Sequence, residues 1–456
     1  MIMTELCVKN NQDNISKCPV NLFYPENEAK CLYGLLYEIY PKNSVNKLKL
    51  FLNILNGIFY TFHQDYIKSG INFNQRPYFK LLYNIIVLLD SFNNTDNILD
   101  SDYKKINYMM YLSDILRIMS PSNYPGFALA WLDLISSKHF ICNFLEVDKH
   151  SKKKETIRKY DKYLHLIISV FTYLKTFTNE TITDFSPKIF LDNVYKFMFL
   201  LCNSFPEYIS VYYYIILMSL PPGSAFIQLK NLILSCVPKD ISLPNPASVD
   251  LKDTNLFKNN ANVLFETELL FPEIKNILDG YIEGKNDNVV DEVIKTLNNG
   301  KKDKDIFFKI NAITIYWSQN LIKKLNEKNQ DNSYGYDFFV QLMTNLEKED
   351  RDHLINSIIN ELRYPSVQTI FFSNLIVYLF EKINNPTIEE HLFKNIIERL
   401  LYKPFPWGVA FTFITLMKND KELLSEKTYI KGSFEDILDK LLVNCSESSM
   451  NNYLSN

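Results

Sequence analysis

Apolar residues recur at helical spacing along nearly the whole chain. Leu32, Leu35, Leu36 and Ile39 form one stripe, and Leu48, Phe51, Leu52, Leu55 and Phe59 the next. Tyr78, Leu81, Leu82, Ile85, Leu88 and Leu89 form a third. Ile115, Ile118, Leu129, Leu132 and Ile135 continue it, followed by Leu164, Ile167, Ile168, Phe171 and Leu174. Each has the i, i+3, i+4, i+7 character of a helix buried on one face, and each is bounded by polar or proline-containing loops. Roughly eighteen such segments of about 10–20 residues are visible, more than one bundle needs. No strand-type alternation persists. The pattern predicts an all-α protein, a HEAT-like α-solenoid of antiparallel helix pairs. No literal repeat accompanies it, and repeats of this kind are often only patterns of apolar positions.

The run from Phe205 to Pro246, FPEYISVYYYIILMSLPPGSAFIQLKNLILSCVPKDISLPNP, is the most informative. Pro221-Pro222 stops the first apolar helix, because proline donates no backbone hydrogen bond and disfavours helical geometry in the residue before it. Phe226, Leu229, Leu232, Ile233 and Cys236 then restart helical spacing. After Cys236 the chain reads as an extended crossing segment with Pro238, Pro244 and Pro246. That crossing predicts a seam. Residues 1–25 read as a disordered polar tail, 26–240 as an N-terminal helical-repeat subdomain, 241–445 as a C-terminal one and 446–456 as a second tail. Val289, Val290, Val293, Ile294 and Leu297 mark a short amphipathic helix between polar loops.

Composition sharpens this picture. Of 456 residues, 47% are hydrophobic and only 11 are Gly, a scarcity that favours helices over turn-rich sheet folds. A net charge of −3 leaves no basic excess, which argues against direct RNA binding. The basic run at Lys149–Lys159 lacks the aromatic interleaving of a single-strand platform and reads as a solvated loop. Tyr208–Leu229 is uncharged and long enough to span a bilayer, but Pro221-Pro222-Gly223 interrupts it, so no membrane span is expected.

Candidate chemistry is sparse. Cys7, Cys18, Cys31, Cys142, Cys202, Cys236 and Cys445 include no C-x-x-C pair and read as reduced, mostly buried thiols. The six histidines are scattered, and no phosphate-binding, dinucleotide, zincin or nucleophile-elbow motif is present. Glu347, Glu349, Asp350 and Asp352 read as helix-start carboxylates that offset the macrodipole, as does Glu389-Glu390 after Pro386. No catalytic residue, metal site or cofactor is expected.

Six ordered segments resemble the C-terminal homology domain of the Not-one family, the scaffold subunit of the CCR-NOT messenger-RNA deadenylase complex. They are FNQRPYFKLL at Phe73–Leu82, FALAWLDLISSKHFI at Phe127–Ile141, FPEYISVYYY at Phe205–Tyr214 and LPPGSAFIQLKNLILSCVPKDISLPNP at Leu220–Pro246. INELRYPSVQTIFFSNLIVYLF at Ile359–Phe380 and ERLLYKPFPWGVAFTFITLMKN at Glu398–Asn419 complete the set. The resemblance covers roughly residues 26 to 445. It implies HEAT-like repeats, no enzyme activity, and docking of NOT-box subunits of the Not-two and Not-three (Not-five) type. It also implies short linear peptides of repressor proteins as ligands in some members, and a cytoplasmic and nuclear location. The family's upstream domains are unmatched here, so the chain reads as a fragment or as a short member.

The expected partner surface centres on the crossing segment and the helix before it. Pro238, Pro244 and Pro246 would hold an extended backbone there, Leu243 would pin it to the helical body, and Gln228, Lys230 and Asn231 would offer polar groups on an otherwise apolar helix. Tyr213 from the tyrosine cluster, Arg363 and Tyr364 at a helix end, and Trp407 at a helix start are further candidates, each weighed against a purely packing role. The same residues would serve equally as an internal brace. Two readings from other classes remain open: a generic helical-repeat adaptor, and an enzyme whose site is assembled from unlinked residues.

Overall fold

A computed structural model describes residues 44–91, 98–146, 153–177, 184–249, 257, 261, 272–282, 288–298, 306–322, 333–383 and 385–419. The two expected tails and the Leu32–Ile39 stripe lie outside these residues. The described residues are helices and turns, with no strand among them. The all-α expectation therefore holds.

Contacts divide the chain into two compact units. One holds the described residues up to Phe197 together with Ser219–Pro221; the other holds Met198–Met218 and those from Pro222 onward.

The first unit contains α1 (Ser44–Ser69), α2 (Arg76–Ser91), α3 (Ile98–Ile118), α4 (Ala128–Ser136), α5 (Lys138–Leu145) and α6 (Lys153–Leu174). Helix α3 packs on both α1 and α6, while α2 packs on α4 and α5. The core is aromatic. Phe62 meets Phe73, Tyr78, Tyr124 and Phe127 edge-on, with ring centroids 4.9–5.4 Å apart. Buried polar tips find partners: Trp131 Nε1 donates to Leu116 O at 2.7 Å and Tyr163 OH to Ile135 O at 2.9 Å.

Helix α7 (Phe185–Ser204) carries the chain from the first unit into the second. Pro206 opens α8 (Pro206–Ser219), which stops before Pro221-Pro222 as expected; a 3₁₀ turn at Ser224–Phe226 then leads into α9 (Ile227–Leu234). Among the described residues eight helices follow: α10 (Pro272–Ile282), α11 (Val289–Asn298), α12 (Ile306–Tyr316), α13 (Ser333–Asn345), α14 (Lys348–Asn360), α15 (Val367–Lys382), α16 (Pro386–Leu401) and α17 (Trp407–Asn419). A π-helical turn at Trp317–Leu321 extends α12.

Alternate helices of this unit stack in two rows. Helices α12, α14, α16 and α9 contact in succession, and so do α11, α13, α15 and α17. Helices α11 and α12, and α16 and α17, join the rows. This is how a helical repeat buries a continuous core that no single helix pair could. Trp317 lies flat on Phe338 in that core, with centroids 4.4 Å apart.

Local chemistry sets the helix starts. Ser366 caps α15 through Thr369 N–H, and Asn385 caps α16 through Thr387 N–H, with Pro386 in its first turn. Glu349 and Asp350 lie in the first turn of α14, and Glu389 in that of α16, the dipole-compensating positions expected of them. The residue at the α14 cap itself is Glu347, whose side chain makes no capping bond.

The division between units falls ahead of the seam suggested at residue 240. Helices α8 and α9 belong with the C-terminal helices, because hydrogen bonds tie Tyr213, Gln228 and Asn231 to residues 148 to 175 positions later. The crossing segment is thus internal to the second unit.

Candidate docking site

The exit of α9 and the start of the crossing segment form one wall of an open groove of about 640 Å³ in the second unit. The end of α7 supplies Phe199, Cys202 and Asn203, and α9 with its exit supplies Leu232, Ser235, Cys236 and Val237. Pro238, Lys239, Ile241, Ser242 and Leu243 run along it, and Lys403, Pro404 and Phe405 close it. The Lys403–Pro404 peptide is cis. Phe199 is 48% exposed at the rim, and Leu401 and Tyr402 beside Lys403 are exposed too. The only charged side chains in the lining are Lys239 and Lys403, both exposed. Ser235 Oγ is buried and has no hydrogen-bond partner within the described residues. The arrangement offers an apolar channel with cationic edges.

The expected partner residues separate into two groups. Pro238, Leu243 and Pro244 are half-buried on or beside the groove, and Gln228 is exposed, with Nε2 donating to Lys403 O at 2.9 Å. These border the channel. The rest brace it. Trp407 is buried; its Nε1 donates to Pro244 O at 2.7 Å, and its ring stacks on Phe411. Pro246 is buried at the start of a short 3₁₀ turn that packs on α17. The crossing backbone is thereby pinned, with Lys418 Nζ also donating to Ala247 O.

Asn231 was expected at the surface and is fully buried. Its Nδ2 donates to Arg399 O at 2.7 Å and Tyr402 O at 2.8 Å, closing the C-terminal end of α16. Arg399 returns a bond from NH1 to Asn231 Oδ1, and its NH2 reaches Asn360 Oδ1 at 2.9 Å. A helix end leaves carbonyls without intrahelical partners, and Asn231 satisfies two of them. Lys230 is half-buried; desolvation, with help from the Arg399 charge, pushes its ammonium down to about 7.

Tyr213, Arg363 and Tyr364 are likewise interior. Tyr213 OH donates to Glu361 Oε1 at 2.5 Å. The Arg363 guanidinium lies 3.7 Å over the Tyr213 ring and donates from NH1 to Ser210 O. Burial raises Glu361 above its usual carboxylate value, with Arg363 pulling the other way. These contacts lock α8 to the α14–α15 turn and present nothing to a partner. The whole tyrosine cluster is core: Tyr208, Tyr212, Tyr213 and Tyr214 are all buried.

Sequence reasoning missed the groove's opposite wall. Phe199 and Cys202 sit on α7, where helical periodicity alone does not say which residues stay uncovered. The Lys403-Pro404-Phe405 turn lies just ahead of Trp407, and two prolines around Phe405 were its only local signal.

Among the described residues no group of three His, Cys, Asp or Glu side chains could hold a metal ion. His139 pairs with Asp90 and His391 with Asp352, but neither pair lies in the groove. No described helix is long and apolar enough to cross a membrane.

Comparisons with known proteins agree with this architecture. Residues 89–442 match the family model of the CCR4-Not complex component Not1. The CCR4-NOT transcription complex subunit let-711 of Caenorhabditis elegans is 28% identical over 397 residues, covering 83% of this chain and 15% of that protein. General negative regulator of transcription subunit 1 of Saccharomyces cerevisiae is 25% identical over 411 residues, covering 83% of this chain and 19% of its own length. The chain thus spans less than a fifth of these relatives. The solved NOT1 superfamily homology domain of Chaetomium thermophilum superposes with a TM-score of 0.82 at 20% identity, covering 97% of this chain and 89% of that one. A Not1 C-terminal domain solved in complex with Not4 gives 0.77 at 22% identity, covering 91% and 87%. At these identities the solved structures speak for the fold, and the family match speaks for descent: the chain belongs to the Not1 family of CCR4-Not complex components.

Proposed function

We propose that this chain is a non-catalytic docking module of a CCR4-Not complex. In this reading it seats segments of other subunits and so supports mRNA deadenylation, translational repression and transcript regulation in cytoplasm and nucleus. The groove carries the proposal. An apolar channel edged by Lys239 and Lys403 suits an extended or helical peptide whose aliphatic or aromatic anchors are flanked by carboxylates. NOT-box subunits of the Not-two and Not-three (Not-five) type are the occupants this reading favours, and short linear peptides of repressor proteins would use the same mode. The relative solved with Not4 supports a subunit-binding role for this fold and makes Not4 the next candidate.

The test is a double change at exposed positions, Phe199→Asp with Lys239→Glu. Exposed substitutions cost within about 0.5 kcal/mol, so the variant should keep its Tm. Its affinity for a purified NOT-box subunit, measured by calorimetry, should fall at least about tenfold, or ~1.4 kcal/mol. Wild-type affinity in the folded variant would place the interface elsewhere. Pure chain should leave a labelled poly(A) substrate intact; shortening that disappears when its carboxylates are neutralised would overturn the non-catalytic reading.

A further inference from the structure

Cys202 near the end of α7 and Cys236 just after α9 lie side by side in the groove wall, within hydrogen-bond reach of each other. Cys236 Sγ is 3.5 Å from Cys202 O and 3.6 Å from Pro206 O, and Cys202 Sγ approaches Leu232 O at 3.8 Å. Cys236 is buried and Cys202 half-buried, and both are free thiols. The third described cysteine, Cys142, is in the first unit and has the Glu146 carboxylate, not a thiol, as its hydrogen-bonding neighbour. Nothing in the docking role requires two adjacent thiols beneath an open channel.

We propose that Cys202 and Cys236 form an oxidisable dithiol that a hydroperoxide entering the groove converts to a disulfide. Cys202, the less buried thiol, attacks the peroxide. Its sulfur bonds one oxygen as the O–O bond breaks, giving a sulfenic acid and one water. The Cys236 sulfur then displaces that hydroxyl as a second water, forming the S–S bond. Two thiols and one hydrogen peroxide become one disulfide and two waters; the sulfurs lose two electrons and the peroxide gains them. The product ties the end of α7 to the exit of α9, closing a loop whose ends are 34 positions apart. Both tied elements line the groove, so oxidation fastens two of its walls together. The Cys236 thiol and burial raise Cys202 well above the ordinary thiol value; because the thiolate is the attacking species, the first step is slow at neutral pH and quickens as pH rises.

The experiment uses the full reduced chain with a few equivalents of hydrogen peroxide. Residual thiols are alkylated and peptides are mapped by mass without reduction. The expected product is a bridged peptide pair containing Cys202 and Cys236, two hydrogens lighter, at least about tenfold more abundant than any other pairing and fully reversed by dithiothreitol. Cys142→Ser should leave its yield unchanged. In Cys236→Ser, Cys202 should instead trap as a sulfenic acid with dimedone. This readout on the wild-type chain does not depend on any variant folding. If the two thiols stay alkylatable while other cysteines oxidise, or if wild-type Cys202 stops at a sulfenic or sulfinic acid without bridging, the proposal is overturned.

Discussion

At the scale of single residues, the polar groups of α9 divide by where they point. Asn231 closes two carbonyls at the end of α16 and receives Arg399, so Asn231→Ala strands two buried groups, the Arg399 carbonyl and guanidinium, and the half-buried Tyr402 carbonyl. Each unsatisfied buried group costs about 1–3 kcal/mol, and a net loss of about 2–4 kcal/mol is expected in urea unfolding. A loss below 1 kcal/mol would contradict the bracing role. Lys230, its neighbour, behaves in the opposite way. Its folded value is about 7 against an ordinary 10.5, so the unfolded chain holds the extra proton between those two pH values. Stability from this group therefore rises with pH through that window, and its full cost is felt below it. Lys230→Met should raise Tm at neutral pH, by roughly 1 kcal/mol of stability, and flatten the pH dependence between about 7 and 10. A lowered Tm would show that the ammonium has a stabilising partner beyond Glu398.

At the scale of elements, glycines report how closely helices approach. Gly408 opens α17 against the turn after α14, and its N–H donates to Arg363 O at 2.7 Å. An added Cβ would lie 2.7 Å from Thr369 Cγ2 and 2.8 Å from the Leu362 carbonyl carbon. Backbone cannot yield cheaply there, so Gly408→Ala should cost about 2–3 kcal/mol, read as a lower urea midpoint. Gly280, inside α10, has nothing within 4 Å of its hypothetical Cβ. Gly280→Ala should stabilise by about 0.5–1 kcal/mol through helix propensity alone. Equal effects at the two sites would mean that α17 does not dock as closely as described. The helix boundaries themselves were legible in advance. Pro221-Pro222 ends α8, Pro386 opens α16, and Val289 to Leu297 forms α11. Prolines and apolar spacing act within one or two turns, so no distant information is needed to read them.

At the scale of the whole molecule, the chain should be predominantly helical by far-ultraviolet circular dichroism, and a substantial sheet signal would sink the architecture. What the sequence determined by itself was the helical class, the main proline stops, the lack of catalytic motifs and, through six ordered segments, the Not1 family. Those properties rest on local periodicity and on stretches of residues that stay together in the chain. Only the tertiary structure decided which side of α9 is the outside. Gln228 faces outward while Asn231 and most of α9 turn inward, and Asn231 finds its partners at the C-terminal end of α16 and just beyond it, some 170 positions later. It also decided that Tyr213 and Arg363 are interior and that the crossing segment is clamped by Trp407. The groove, with its unpartnered Ser235 hydroxyl and paired thiols, belongs to the same class of facts. Its walls come from α7, α9 and the turn before α17, and burial depends on how those distant pieces meet, which no window of sequence encodes.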